Sequence, residues 1–228
     1  ALAISPPRAR AVVREAVRVS VTHGSLAFAE HCVAVGHYQH DSIVAAEAYL
    51  DRVLGHRLTA RHALGLYPGP EGTHALFDNP SPSGWPIGAL VVGLGEVGRL
   101  TPSKLSDTFA RALLELARRS LEGSGPQAGG EAGKRLEIPV SSLLIGTGAG
   151  GMSVQDAVLA LLRGVRQAND ALRRAGQADA ARIAAIELIE LWQGRAIDAA
   201  RALRRVSDDP ELRGGFDVAE LVREGTGG

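Results

Sequence analysis

Two glycine loops and one histidine cluster contain the groups in this sequence that could do chemistry. The first loop is Val91 to Gly98, VVGLGEVG, an apolar run ending in G-x-G-x-x-G. The second is Gly146 to Gly151, GTGAGG, with the same spacing. That spacing suits a dinucleotide for three reasons. The glycines allow a tight turn and close approach to a pyrophosphate, the following helix directs N–H groups at it, and an acid about 20 residues on holds the ribose. VVGLGEVG meets only the first demand. Its helix starts at Thr101-Pro102, Pro102 removes a donor, and Glu96 inside the loop repels phosphate. About 20 residues past Gly98 stand Ala117, Arg118 and Arg119, with no acid. This stretch reads as a strand end with a turn.

GTGAGG is better placed. It follows the strand-like run Ser142 to Ile145, carries no acidic side chain and leads into Ser153, a helix cap. Successive N–H groups beside a helix N-terminus make an anion site. Gly146, Thr147, Gly148, Ala149, Gly150 and Gly151 are therefore expected to hold phosphate through the backbone, with Ser153 fixing the helix start. The loop lacks the ribose acid and the Lys of a P-loop, so it is neither of those motifs. A turn that only packs is the alternative. In the third cluster, His37-x-x-His40-Asp41, a metal would need three or four converging ligands. Nothing else nearby resembles a ligand, so no metal and no resident cofactor are expected. His37, His40 and Asp41 are read instead as the rim of a pocket or as a surface loop. Cys32 falls in an apolar strand and is expected to be inert packing. No G-x-S-x-G elbow occurs.

These groups need a scaffold, and the patterning supplies one. Val17 to Thr22 alternates as a strand. Cys32 to Val35, Thr73 to Phe77, Ile87 to Val92 and Val140 to Ile145 read as further strands, the apolar ones suiting a sheet covered on both faces. Helices are expected from about Ser42 to Leu54, from Thr101-Pro102 onward, and from the Ser153 cap, with Asp156 in capping-box position. Arg182 to Trp192 is compatible with strand or helix, strand being preferred, and Gly194 is taken to separate it from a helix ending near Val206. Gly65 to Pro86 is loop or hairpin, Trp85 being expected in the core, and 124–134 is a loop. The order is that of a three-layer α/β domain over 17–208, with an N-terminal extension at 1–16 and a linker or tail at 209–228.

Composition narrows the class. The 228 residues are 45% hydrophobic, and 25 basic residues balance 25 acidic ones. No basic excess calls for nucleic acid, and no apolar run reaches the ~18 residues of a membrane span. The one cysteine excludes an internal disulfide and suits a reducing cytoplasm. Arg163, Arg166, Arg173 and Arg174 share the polar side of a helix, as a solvated face would. The first residue is Ala, which fits a piece of a longer chain.

The segment Ile138 to Asn169, IPVSSLLIGTGAGGMSVQDAVLALLRGVRQAN, resembles the distal half of macro domains, where a strand runs into a G-T-G-x-x-G loop that wraps a diphosphate. VRVSVTHGSLAF resembles the macro opening strand and its turn. GALVVGLGEVGRLTPSKLSDTFARALLELA is similar to the macro-like, non-catalytic N-terminal domain of leucine aminopeptidases. The resemblance covers about Arg18 to Val206 and implies a mixed central sheet flanked by helices. It also implies a ligand, ADP-ribose or another nucleotide phosphate, at GTGAGG. Where such domains carry an adenine-contacting Asp this chain has Ser25, and no Asn stands between Gly24 and Asp78. The first expectation is thus a non-enzymatic module of a larger multidomain bacterial protein. It would dock other domains of the same polypeptide or a protein partner, with an anion site at GTGAGG. The alternatives are a nucleotide-diphosphate sensor and a hydrolase of ADP-ribose adducts using His40 or Asp41.

Overall fold

The computed structural model describes residues 15–123, 134–149, 151–219 and 222–225. Nearly all of the expected N-terminal extension and of the 124–134 loop lies outside the described residues. The elements in chain order are β1 (Val17–His23), β2 (Val33–His37), α1 (Ala45–Val53), α2 (Arg57–Ala63), β3 (His74–Asp78), β4 (Gly88–Gly93) and α3 (Pro102–Leu121). They continue with β5 (Leu136–Ser142), α4 (Val154–Arg174), β6 (Ala181–Glu190), α5 (Gln193–Arg204), β7 (Phe216–Val218) and β8 (Arg223–Glu224). A 3-10 turn, Leu26–Phe28, follows β1.

The strands form one mixed sheet in the order β3-β4-β2-β5-β6-β1-β7, with β8 also on β1. Among the described residues, only the β3–β4 pair is antiparallel. One apolar core includes inward residues of β1, β5 and β6 together with α3, α4 and α5. A second joins α1 and α2 to β2, β3 and β4. The sheet thus lies between two helical layers, as the element order implies.

The helix starts are legible in single residues. Thr101 Oγ1 accepts from Lys104 N at 3.3 Å and Pro102 takes the first position of α3, where its missing N–H costs nothing. Ser153 Oγ accepts from Asp156 N at 3.0 Å and opens α4. β6 is a strand from Ala181 to Glu190, as preferred.

Several expectations are corrected. α2 has no local signature, because its capping group comes from the helix before it. The Asp51 carboxylate accepts from Thr59 N at 2.9 Å and from Thr59 Oγ1 at 2.6 Å. β5 begins at Leu136, earlier than Val140, since Pro139 is accommodated where the register shifts by a bulge. Gly194 lies in the first turn of α5, not ahead of it. The stretch expected as a tail supplies β7 and β8, which pair in parallel with β1. Cover on both faces holds for β4, buried throughout, while β1 alternates as read and its exposed Arg18 lines an open cleft with Ser20, Glu187 and Asp217. Trp85 is 54% exposed instead of buried.

The glycines of VVGLGEVG serve the fold. Gly93 N donates to Thr73 O, Leu94 N to His37 O and Gly95 N to Gly69 O, at 2.8–2.9 Å. These three donors are therefore spent inside the protein. A Cβ on Gly93 would stand 2.3 Å from both Pro70 O and Thr73 Oγ1. Gly93→Ala should destabilise the chain by about 1–3 kcal/mol, read from a urea midpoint. An unchanged midpoint would mean the 69–73 turn shifts freely.

Candidate functional site

GTGAGG lies beyond the C-terminal end of β5, where open parallel sheets bind ligands. Its shape follows from its glycines. Gly146 has φ +87° and is packed so closely that a Cβ would meet Leu100 Cδ2 at 2.9 Å. Gly151, at φ +65°, donates to Gly148 O at 3.0 Å, and Met152 N donates to Gly146 O at 3.2 Å. Gly148 is exposed and open, with no atom within 4 Å of an added Cβ. Among the described residues, the N–H groups of Gly148 and Ala149 have no acceptor. Gly150 lies outside the described residues. This is the reverse of VVGLGEVG: the turn closes through other groups and leaves these two donors free.

A cleft of about 500 Å³ lies over the loop. Thr147 and Gly148 line it beside Leu143 and Leu144, which follow the end of β5. The turn after β1 contributes Gly24, Ser25 and Leu26, and the start of α1 contributes Ala45, Ala46 and Tyr49. The end of β6 and the first turn of α5 contribute Ile189, Glu190, Leu191, Trp192 and Arg195. Trp192 is 67% exposed, so its ring is accessible at the cleft. Ala45 adopts φ +48°, a left-handed conformation that costs a non-glycine residue about 1–3 kcal/mol and often marks a ligand site. Val44 gives α1 no side-chain cap.

Three side chains of the cleft, those of Thr147, Arg195 and Glu190, form one chain of hydrogen bonds. Thr147 Oγ1 donates to Leu144 O at 2.6 Å. It accepts from an Arg195 Nη2–H. Arg195 Nε donates to Glu190 Oε2 at 3.1 Å, and Glu190 Oε1 accepts from Trp192 N at 3.0 Å. Glu190 is 8% exposed, so its charge is both buried and paired. The arrangement presents an arginine and free N–H groups beside apolar and aromatic walls. It can receive an anion attached to a flat ring.

His37, His40 and Asp41 do not line this cleft. His37 is buried, and its Nδ1 lies 3.0 Å from both Glu47 carboxylate oxygens. The Tyr67 hydroxyl donates to Glu47 Oε1 at 2.7 Å, and the Tyr67 ring meets His37 edge-on at 4.7 Å. Burial, then the Glu47 carboxylate, pushes the Tyr67 phenol well above its ordinary range. The cluster ties β2 to α1. His40 is exposed at φ +65°, and Asp41 Oδ1 accepts from Ser42 N at 2.7 Å, a local turn contact. Among the described residues, no group of three or more His, Cys, Asp or Glu is arranged to hold a metal. Cys32 is fully buried, and burial drives its thiol upward, as inert packing requires. Arg163, read as solvated, pairs with Asp209 at 2.7 Å, and Arg173 with Asp170 at 2.6 Å.

Sequence reasoning did not single out Arg195, Trp192 or Tyr49. Their one signal was position: Trp192 and Arg195 follow the end of β6, the strand beside β5.

No family model matches the chain, and no curated protein matches it. Solved structures do. The Trypanosoma brucei macrodomain in complex with ADP-ribose is similar at 16% identity and TM-score 0.52, over 81% of this chain and 68% of that one. The same macrodomain in complex with ADP is similar at 13% identity and TM-score 0.50, over 82% and 69%. A point mutant of the Oceanobacillus iheyensis macrodomain is similar at 12% identity and TM-score 0.52, over 82% and 92%. At these identities the likeness is one of fold, and the fold is macro-like. No described helix is long and apolar enough to cross a membrane.

Proposed function

We propose that the chain binds a nucleotide diphosphate of the ADP-ribose type in the cleft over Gly146–Gly151. One observation carries this reading: Gly148 lines a cleft together with Tyr49 and Trp192, and its N–H and that of the adjoining Ala149 have no acceptor among the described residues. A diphosphate would accept from those N–H groups, and the rings would face its base. The volume, about 500 Å³, falls in the range of small-molecule sites. Macrodomains of the same fold form complexes with ADP and ADP-ribose, which supports the choice of ligand.

The docking role expected first has no support from the structural neighbours, which form complexes with nucleotides. A hydrolase built on His40 or Asp41 has no support, since neither lines the cleft. The likeness to the N-terminal domain of leucine aminopeptidases stays a resemblance of sequence.

Calorimetric titration with ADP-ribose tests the proposal. A dissociation constant of roughly micromolar order, about −8 kcal/mol, is expected. No heat at millimolar ligand would overturn it.

A further inference from the structure

The geometry points to Arg195 as the side chain that reads phosphate in this cleft, so that the site selects its ligand by anionic charge as well as by shape. The inference rests on the nucleotide-diphosphate reading and adds a residue to it.

Arginine carries five N–H donors in a rigid planar fork. Two are engaged here, Nε–H with Glu190 Oε2 and one Nη2–H with Thr147 Oγ1. The other three, two on Nη1 and one on Nη2, have no acceptor among the described residues. Both anchors are themselves fixed. The Thr147 hydroxyl gives its only proton to Leu144 O, so toward Arg195 it can act only as an acceptor. Glu190 is held through Oε1 by Trp192 N. The guanidinium is thus pinned at two points, and three donors stay free on the lining that Gly148 shares. A phosphate can take these donors without breaking either anchor, and little rotamer freedom is left to lose on binding. The two anchors also join the loop after β5 to the loop after β6, so both phosphate-facing groups sit on one rigid unit.

Lysine cannot reproduce this arrangement. Its ammonium has three donors on one nitrogen and no planar fork, so bridging Glu190 and Thr147 would leave one donor for a ligand where arginine leaves three.

The test is titration of the chain with ADP and with adenosine, over a series of salt concentrations. For Arg195→Gln, ADP affinity should fall about 10- to 100-fold, and adenosine affinity should stay unchanged. The salt dependence of ADP binding should flatten, because one screened charge contact is gone. Arg195→Lys should recover only part of the loss. Glu190→Gln/Arg195→Gln removes both charges, so no buried carboxylate is left unpaired, and it should show the same selective loss with folding intact. Unchanged ADP affinity in the Arg195 variants would overturn the inference. So would an equal loss of ADP and adenosine with an unaltered salt slope, the mark of a purely structural role. A wild-type chain that binds neither would remove the nucleotide reading itself, a result distinct from both.

Discussion

Gly148→Glu should abolish ADP-ribose binding while leaving the chain folded. The two halves of that expectation come from separate observations. Nothing lies within 4 Å of a Cβ built at Gly148, and its φ is outside the left-handed region. The side chain therefore enters open space in the cleft, and stability should change by less than about 0.5 kcal/mol. The new carboxylate would stand near a bound diphosphate. At a separation near 5 Å and an effective dielectric near 20, each pair of unit charges repels by about 3 kcal/mol, more than about 100-fold in affinity. Gly148→Ala adds a Cβ without charge and should bind within about three-fold of the original chain. Raising salt should recover part of the loss in the Glu variant. Calorimetry and a thermal melt on the three proteins decide the matter. If Gly148→Glu binds as the original chain does, the ligand lies elsewhere.

Phe109→Ala should be the most destabilising single truncation in the scaffold beneath the cleft. Phe109 is fully buried in α3 and faces α4 at Gly164. A Cβ on Gly164 would stand 2.9 Å from Ser106 O and 3.0 Å from Phe109 Cδ1. The two helices meet so closely there that the ring is enclosed. Its removal leaves a cavity that neither helix can close without losing other contacts. The expected cost is about 3–5 kcal/mol. For a domain of this size that is a fall in Tm of about 6–20 °C, at about 2–4 °C per kcal/mol. Because α4 starts just past the glycine loop and is capped independently by Ser153, ligand affinity below the new Tm should be preserved. A loss under about 1 kcal/mol would mean the α3–α4 interface repacks around the void.

The scaffold is readable where the signal is local. Alternation in Val17 to Thr22 places β1, Thr101-Pro102 starts α3, and Ser153 starts α4. Each rests on physics confined to a few neighbouring residues: side-chain period, a fixed φ, one capping oxygen. Reading fails where the determining partner is distant. α2 takes its capping oxygen from Asp51 on the preceding helix. β7 and β8 exist because β1 offers them a partner strand, though their own segment is rich in glycine and polar residues. His37 looked like a pocket residue because polarity alone does not say what a side chain is paired with. Glu47 and Tyr67 claim it in the core.

By itself, the sequence determined the order and type of most elements and which glycine loop runs straight into a capped helix. It also determined that VVGLGEVG lacks the acid and the helix start a dinucleotide needs. Only the tertiary structure decided that the Gly148 and Ala149 N–H groups stay free while those of Gly93 to Gly95 are consumed. It alone placed Arg195 against Thr147, 48 residues away. The reason is that a cleft at the C-terminal ends of parallel strands has no local code. β5, β6 and β1 must first pair side by side before the turn after β1, the start of α1, the glycine loop and the first turn of α5 can share one space.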